Sequence, residues 1–178
     1  ERRRRVVGLI LLALDRFKVI NDTLGHGAGD ALLRDVARRL MGSVRKDDTV
    51  ARLGGDEFAV ILSDVAQPGD VARIARLILN ALAPPFAVMG REFHVGASLG
   101  ISLFPLDGSE IDVLLKNADV AMYRVKETGR SAYQFFEPEM TAESVRQLAL
   151  EHDLRRALEG DELRVLFQPQ ETMATGRL

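Results

Sequence analysis

The sequence predicts an α+β domain, a central, mostly antiparallel sheet flanked by helices. Three observations carry that prediction. The stretch Val6–Leu14 is almost uninterruptedly apolar, as a central strand covered on both faces is. The stretch 52–62, ArgLeuGlyGlyAspGluPheAlaValIleLeu, runs through a two-glycine turn into a second apolar strand, and glycines at 54 and 55 permit the positive φ of a tight hairpin. Between and after these strands lie three amphipathic stretches of helical period, residues 30–45, 68–82 and 111–127, so strands and helices alternate around a shared core.

Composition bounds the rest. A chain of 178 residues, 47% hydrophobic and 28% charged, suits one globular domain with a real core. A net charge of -2 argues against a nucleic-acid partner. The absence of cysteine removes disulfides, thiolate catalysis and cysteine zinc sites, and fits the reducing cytoplasm. The apolar run Val6–Leu14 is too short to span a bilayer, and no cleavable signal is visible.

Taken in order, the arginines at 2–5 read as a solvated lead-in to the first strand, without a function of their own. Residues 17–26 read as a short helical turn and loop, and 30–45 as a helix with Leu33, Val36, Ala37 and Leu40 on one face. Residues 49–53 and 58–62 are the hairpin strands. Pro68 stands in the first turn of the second helix, Val71, Ile74, Ala75 and Ile78 face inward, and Pro84 and Pro85 end it. Residues 86–89 and 92–104 read as another hairpin turning near Met89 and Gly90. Within it, ValGlyAlaSerLeuGlyIleSer is too glycine-rich for a helix interior and lacks the lysine of a P-loop, so it reads as a strand packed closely on its neighbour. The helix 111–127 buries Leu114, Leu115, Ala118 and Met122, Gly129 is placed to stop it, and 133–136 closes the sheet. Beyond Pro138, residues 141–159 read as a charged amphipathic helix with Leu154 and Leu158 inward, and 162–167 as a short strand followed by GlnProGln.

Several residues have chemistry to offer. Asp56 and Glu57 stand at the mouth of the glycine turn, where hard oxygen ligands suit a divalent cation, although such a turn equally serves only to reverse the chain. Asn21 and Asp30 are an amide and a carboxylate that read equally as a turn residue and a helix N-cap. Lys18 follows the first strand, while Lys126 and Arg130, four apart, share one face at a helix end, where the helix dipole alone favours them. His26, His94 and His152 lack a second ligand at metal spacing and read as structural or exposed.

The turn, together with LeuAspArgPheLysValIleAsnAspThrLeuGlyHis at 14–26 and the pair Gly29 and Asp30, resembles the GGDEF family of diguanylate cyclases, whose name residues 54–58 spell. The likeness covers roughly residues 6–136 and rests on four separated motifs in the family's order. It implies the palm-like fold shared with nucleotide cyclases and polymerases, over residues 1–137. It also implies GTP as the ligand. Guanine carries N1–H and N2–H donors beside an O6 acceptor, and by resemblance Asn21 and Asp30 read that base. By the same resemblance Lys18, Lys126 and Arg130 bind phosphates. Asp56 and the Leu14 backbone carbonyl ligate Mg2+ or Mn2+, and Glu57 lies close to the ion or the attacking hydroxyl. The implied reaction is in-line attack of a ribose 3′-hydroxyl on the α-phosphate of a second GTP, with two divalent ions at the attacking and leaving oxygens. Each domain holds one GTP, so a homodimer is needed to make cyclic di-GMP. Arg45 and Asp48 fit the family's RxxD inhibitory site for that product, in register with Gly54, arginine gripping a phosphate and aspartate meeting a guanine edge.

The sequence departs from the family at the end of the first strand. Ala13 stands where the family has a metal-ligand aspartate, and Asp15 lies roughly 6 to 7 Å further along the strand, too far to replace it. Metal binding is expected to be weakened. The family's DxLT segment, upstream of the first strand, is missing from the sequence, and residues 154–170 resemble the opening of an EAL domain, the family that hydrolyses cyclic di-GMP. Residues 138–178 are therefore expected to be a linker helix and the truncated start of an EAL domain, in a larger GGDEF-EAL protein. Three readings follow: a diguanylate cyclase with an unusual metal site, a module that binds GTP or cyclic di-GMP and regulates the attached EAL domain, and a plain dimerisation domain. The guanine and phosphate positions argue against the third, and Ala13 argues against the first.

Overall fold

The computed structural model describes residues 6–160 and 162–168, and the chain divides after Thr141 into two compact units. The first carries β1 (Val6–Leu14), α1 (Phe17–Leu24), α2 (His26–Ser43), β2 (Thr49–Gly54), β3 (Glu57–Val65), α3 (Pro68–Leu82), β4 (Phe86–Val88), β5 (Arg91–Phe93), β6 (Ala97–Phe104), α4 (Ile111–Thr128) and β7 (Tyr133–Phe135). Five strands form one sheet in the order β2-β3-β1-β6-β7, in which only β6 and β7 run parallel. This is the α+β fold the sequence predicts.

The apolar run of β1 is buried on both faces because it is the middle strand. Ile10, Leu12 and Leu14 join Phe58, Val60, Leu99 and Ile101 in a large core closed by α1, α2 and α3. Leu9, Leu11 and Ala13 face the other way, against Ala59 and, on α4, Leu114, Ala118 and Met122. Pro68 is at the start of α3, and Gln67 and Asp70 cap that helix reciprocally. Its other end is held by Arg39 of α2, whose guanidinium donates to the carbonyls of Ala81, Pro84 and Pro85 and lies 3.7 Å above the Phe86 ring.

The glycine-rich strand does pack closely on a neighbour, and the neighbour is α4. Ser98, Gly100 and Ser102 oppose Ala13, Leu11 and Leu9 and so share the α4 face. A Cβ on Gly100 would overlap the backbone of Ala118 and Met122, and the Ser102 hydroxyl donates to the Leu114 carbonyl at 2.9 Å.

Four local expectations need correction. Helix α2 begins at His26, not at residue 30, because Gly25, with φ 83, breaks the chain between α1 and α2. It ends at Ser43, so the RxxD residues lie in a turn and not on a helix end. Residues 92–104 are not one strand: β5 pairs with β4 in a separate two-stranded sheet, and the chain crosses to the main sheet through residues 94–96. Arg130 is not on the face of Lys126, since α4 stops at Thr128 and Gly129, with φ 133, turns the chain.

Helix α5 (Pro138–Glu159) enters the second unit. Leu154 and Leu158, expected inward, are 48% and 68% exposed. A helix with no described apolar partner in its own unit has nothing to bury against. The expected strand at 162–167 does not form, as a strand needs a neighbour to accept and donate its backbone hydrogen bonds. The arginines at 2–5 and the chain from Pro169 lie outside the described residues. No helix among the described residues is long and apolar enough to cross a membrane.

Candidate functional site

The glycine turn and the end of β1 meet side by side. Ala13 lies opposite Glu57, and the next residue, Leu14, donates its N–H to the Asp56 carbonyl at 3.2 Å. In an extended strand the N–H and C=O of one residue point to the same edge, so the Leu14 carbonyl also faces the turn. Gly54 pairs with Glu57, leaving Gly55 and Asp56 as the turn, with Gly55 at φ 51. Arg52 clamps it, donating from Nε and Nη2 to the Gly55 carbonyl at 3.1 and 2.8 Å. Asp56 is half-buried and Glu57 exposed. Sequence reasoning passed over Arg52, although its place beside the glycines was the available signal.

At position 13 the methyl group is 1% exposed, within the apolar cluster beneath α4. Asp15 does not compensate. Its carboxylate accepts from the Ser98 hydroxyl at 2.7 Å and from the Ser131 N–H and hydroxyl at 3.1 and 3.2 Å. Those three donors tie it to β6 and to the loop after α4. Among the described residues no three acidic or histidine side chains gather into a metal site.

Asn21 is inside α1 and Asp30 inside α2, so neither the turn reading nor the N-cap reading describes them. Their helices approach closely through Gly29, where a Cβ would overlap the Asn21 amide and come within 3.1 Å of the Phe17 ring. Asp30 is the next residue and is exposed. The Asn21 Oδ1 is buried with no hydrogen-bond partner. Such an orphaned acceptor is costly unless a donor reaches it. Lys18, three residues earlier on α1, is exposed.

Lys126 is half-buried near the end of α4, and Arg130 stands in the turn beyond it, its N–H bonded to the Val125 carbonyl at 2.9 Å. Arg130 lines a cavity of about 380 Å3 with Asp15, Arg16, Val19, Phe93 and His94. His26 and His152 are exposed elsewhere.

Arg45 and Asp48 line a second, smaller cavity of about 100 Å3. The Asp48 carboxylate accepts from the Arg45 N–H at 2.9 Å and the Ser63 N–H at 3.1 Å, so it closes its own turn and ties it to β3. The same cavity includes Arg73 of α3, a second guanidinium that sequence reasoning missed. Nothing in the spacing links residue 73 to residue 45; only the packing of α3 beside β3 brings them together.

The fold and these motifs define an α+β domain of the cyclic di-GMP signalling class. The family described as diguanylate cyclase, GGDEF domain, matches residues 1–132, and the chain belongs to that family. It is 44% identical over 166 residues to the bifunctional diguanylate cyclase/cyclic di-GMP phosphodiesterase MucR of Pseudomonas aeruginosa, covering 93% of this chain and 24% of MucR. The chain thus spans about a quarter of that relative's length. The crystal structure of the GGDEF domain of TpbB (YfiN) from Pseudomonas aeruginosa superposes with a TM-score of 0.74 at 40% identity, over 76% of this chain and 84% of that one. The GGDEF domain of DgcB from Caulobacter crescentus, solved in complex with c-di-GMP, gives a TM-score of 0.68 at 27% identity, over 74% of this chain and 78% of that one.

Proposed function

We propose that this domain binds GTP in a half-site built like that of a diguanylate cyclase, and that Ala13 leaves it a regulatory module with little or no turnover of its own. The observation that carries the reading is the buried, partnerless Asn21 Oδ1 beside Gly29 and Asp30. Guanine's N1–H and N2–H supply the donors that an amide oxygen and a carboxylate lack, while adenine presents no such pair on that edge. Lys18, Lys126 and Arg130 neutralise the triphosphate.

The donor set fits a divalent ion only in part. Asp56 and the Leu14 carbonyl would hold Mg2+ or Mn2+, with Glu57 close by, and the triphosphate would bring further oxygens. When bound, the ion supplies charge neutralisation at the reacting phosphoryl oxygens. The methyl of Ala13 offers no ligand and Asp15 is committed to Ser98 and Ser131, so ion binding is weakened. In this reading Arg45, Asp48 and Arg73, which line one cavity, take cyclic di-GMP, and that cavity is the regulatory input. The rest of this reading is a cytoplasmic chain in which an EAL domain follows and takes the domain's output; the resemblance of residues 154–170 to the opening of such a domain supports it.

Titration calorimetry with GTP and ATP, beside chromatography of the products with Mg2+ or Mn2+, tests the proposal. GTP is expected to bind at least about tenfold more tightly than ATP, because a site built for guanine's donors leaves polar groups unpaired against adenine. Little or no cyclic di-GMP is expected. Equal affinity for both nucleotides, or for neither, defeats the base assignment; robust turnover defeats the regulatory one.

A further inference from the structure

The hydrogen bonds of Asp15 have a consequence beyond keeping that carboxylate from the turn. They join two backbone segments: the end of β1 on one side and the turn after α4 on the other. Gly96 lets them close up, since a Cβ there would meet the Ser131 hydroxyl and stand 2.6 Å from the Asp15 carboxylate. The sequence neighbours of this stapled pair are Arg16 and Arg130, and both line the cavity of about 380 Å3. Arg16, Arg130 and Ser131 all have left-handed backbones, with φ of 60, 64 and 52. Non-glycine residues in that region cost energy and gather where a ligand is clamped.

Neither Arg16 nor Arg130 has a side-chain hydrogen bond or ion pair among the described residues. The one carboxylate in the wall, Asp15, already accepts from three donors. Two like charges held at one cavity repel until an anion separates them, and a pair of guanidinium forks matches the oxygens of a phosphoryl group. Around α1, Arg16, Val19 and Ile20 line this cavity while Asn21 turns toward Gly29, so the cavity lies on a different side of the helix from the orphaned amide. A ligand that contacts both sides of α1 has to be extended, as a nucleoside triphosphate is.

We propose that Arg16 is a further phosphate ligand of this domain and pairs with Arg130 to clamp the terminal phosphoryl group of the bound nucleotide, so that the domain distinguishes a nucleoside triphosphate from a diphosphate. This rests on the nucleotide reading given above. The Arg16 side chain is exposed and bonds to no described neighbour, so Arg16→Gln leaves the fold in place, which its melting temperature checks.

Titration calorimetry on the whole chain, with GTP, GDP and pyrophosphate in the presence of Mg2+, separates the outcomes. The expected result is about a tenfold loss of GTP affinity in Arg16→Gln, with GDP affinity changed by less than about twofold. Equal weakening toward GTP and GDP, or no change in either, overturns the clamp while leaving nucleotide binding intact. Loss of pyrophosphate binding with unchanged GTP affinity assigns the pair to a free anion and overturns it as well. A wild-type chain that binds neither nucleotide overturns the nucleotide reading itself, and this inference with it.

Discussion

Ala13 sits opposite Glu57 on the face that α4 covers, so its side chain is governed by two environments at once: apolar packing beneath it and a carboxylate beside it. An aspartate there would bury charge next to Glu57, and each carboxylate would disfavour the other's ionised form until a divalent ion bridged them. Ala13→Asp is therefore expected to destabilise the metal-free domain by about 1–3 kcal/mol and to regain that stability with Mg2+, while the wild-type melting temperature hardly responds to the ion. Melting curves in chelator and in Mg2+ measure this; identical responses of the two proteins would mean that position 13 does not face the ion. The substitution was legible from the motif alone. What the motif did not reveal is that Asp15 is held by Ser98 and Ser131, residues 83 and 116 positions away in the chain. The same holds for Asn21 and Gly29, both visible in the sequence, whose mutual contact only the packing of α1 on α2 creates.

Some elements are legible from local spacing, and others take their bounds from distant partners. Helix α3 runs from Pro68 to Leu82 as its apolar period and flanking prolines predict. Strand β6 begins only at Ala97, after Gly96 has packed against Asp15 and Ser131, and no period within 92–104 encodes that break. Its small residues were seen as glycine-rich, yet their alternation at 98, 100 and 102 is what lets the α4 backbone approach. Gly100→Ala tests that packing. A methyl group against the Ala118 carbonyl and the Met122 N–H has no flexible side chain to displace, so the helix must move, at a cost of about 1–3 kcal/mol or more. Urea unfolding reads it, and a midpoint equal to wild type would show that α4 has room to spare.

In the proposed reading the whole molecule offers one nucleotide half-site, and cyclic di-GMP is built from two nucleotides. Each GTP supplies a 3′-hydroxyl to attack the other's α-phosphate, so any synthesis requires two copies to face each other with a nucleotide in each. That requirement separates a loss caused by Ala13, if the proposal holds, from the simpler failure of two domains to meet. If the copies associate weakly, the concentration of paired domains rises with the square of the domain concentration, whereas a defect at the metal lowers output at every concentration alike. Ala13→Asp is expected to raise cyclic di-GMP formation above the wild-type level, with a rate that grows as the square of concentration, in a chain that includes the DxLT segment. Chromatographic product assays over a dilution series, on both proteins at matched concentration, decide the matter. Robust synthesis by the alanine form, unchanged by aspartate, would mean that Asp56, Glu57 and the Leu14 carbonyl suffice for the metal, and that this domain is a cyclase and not a regulator.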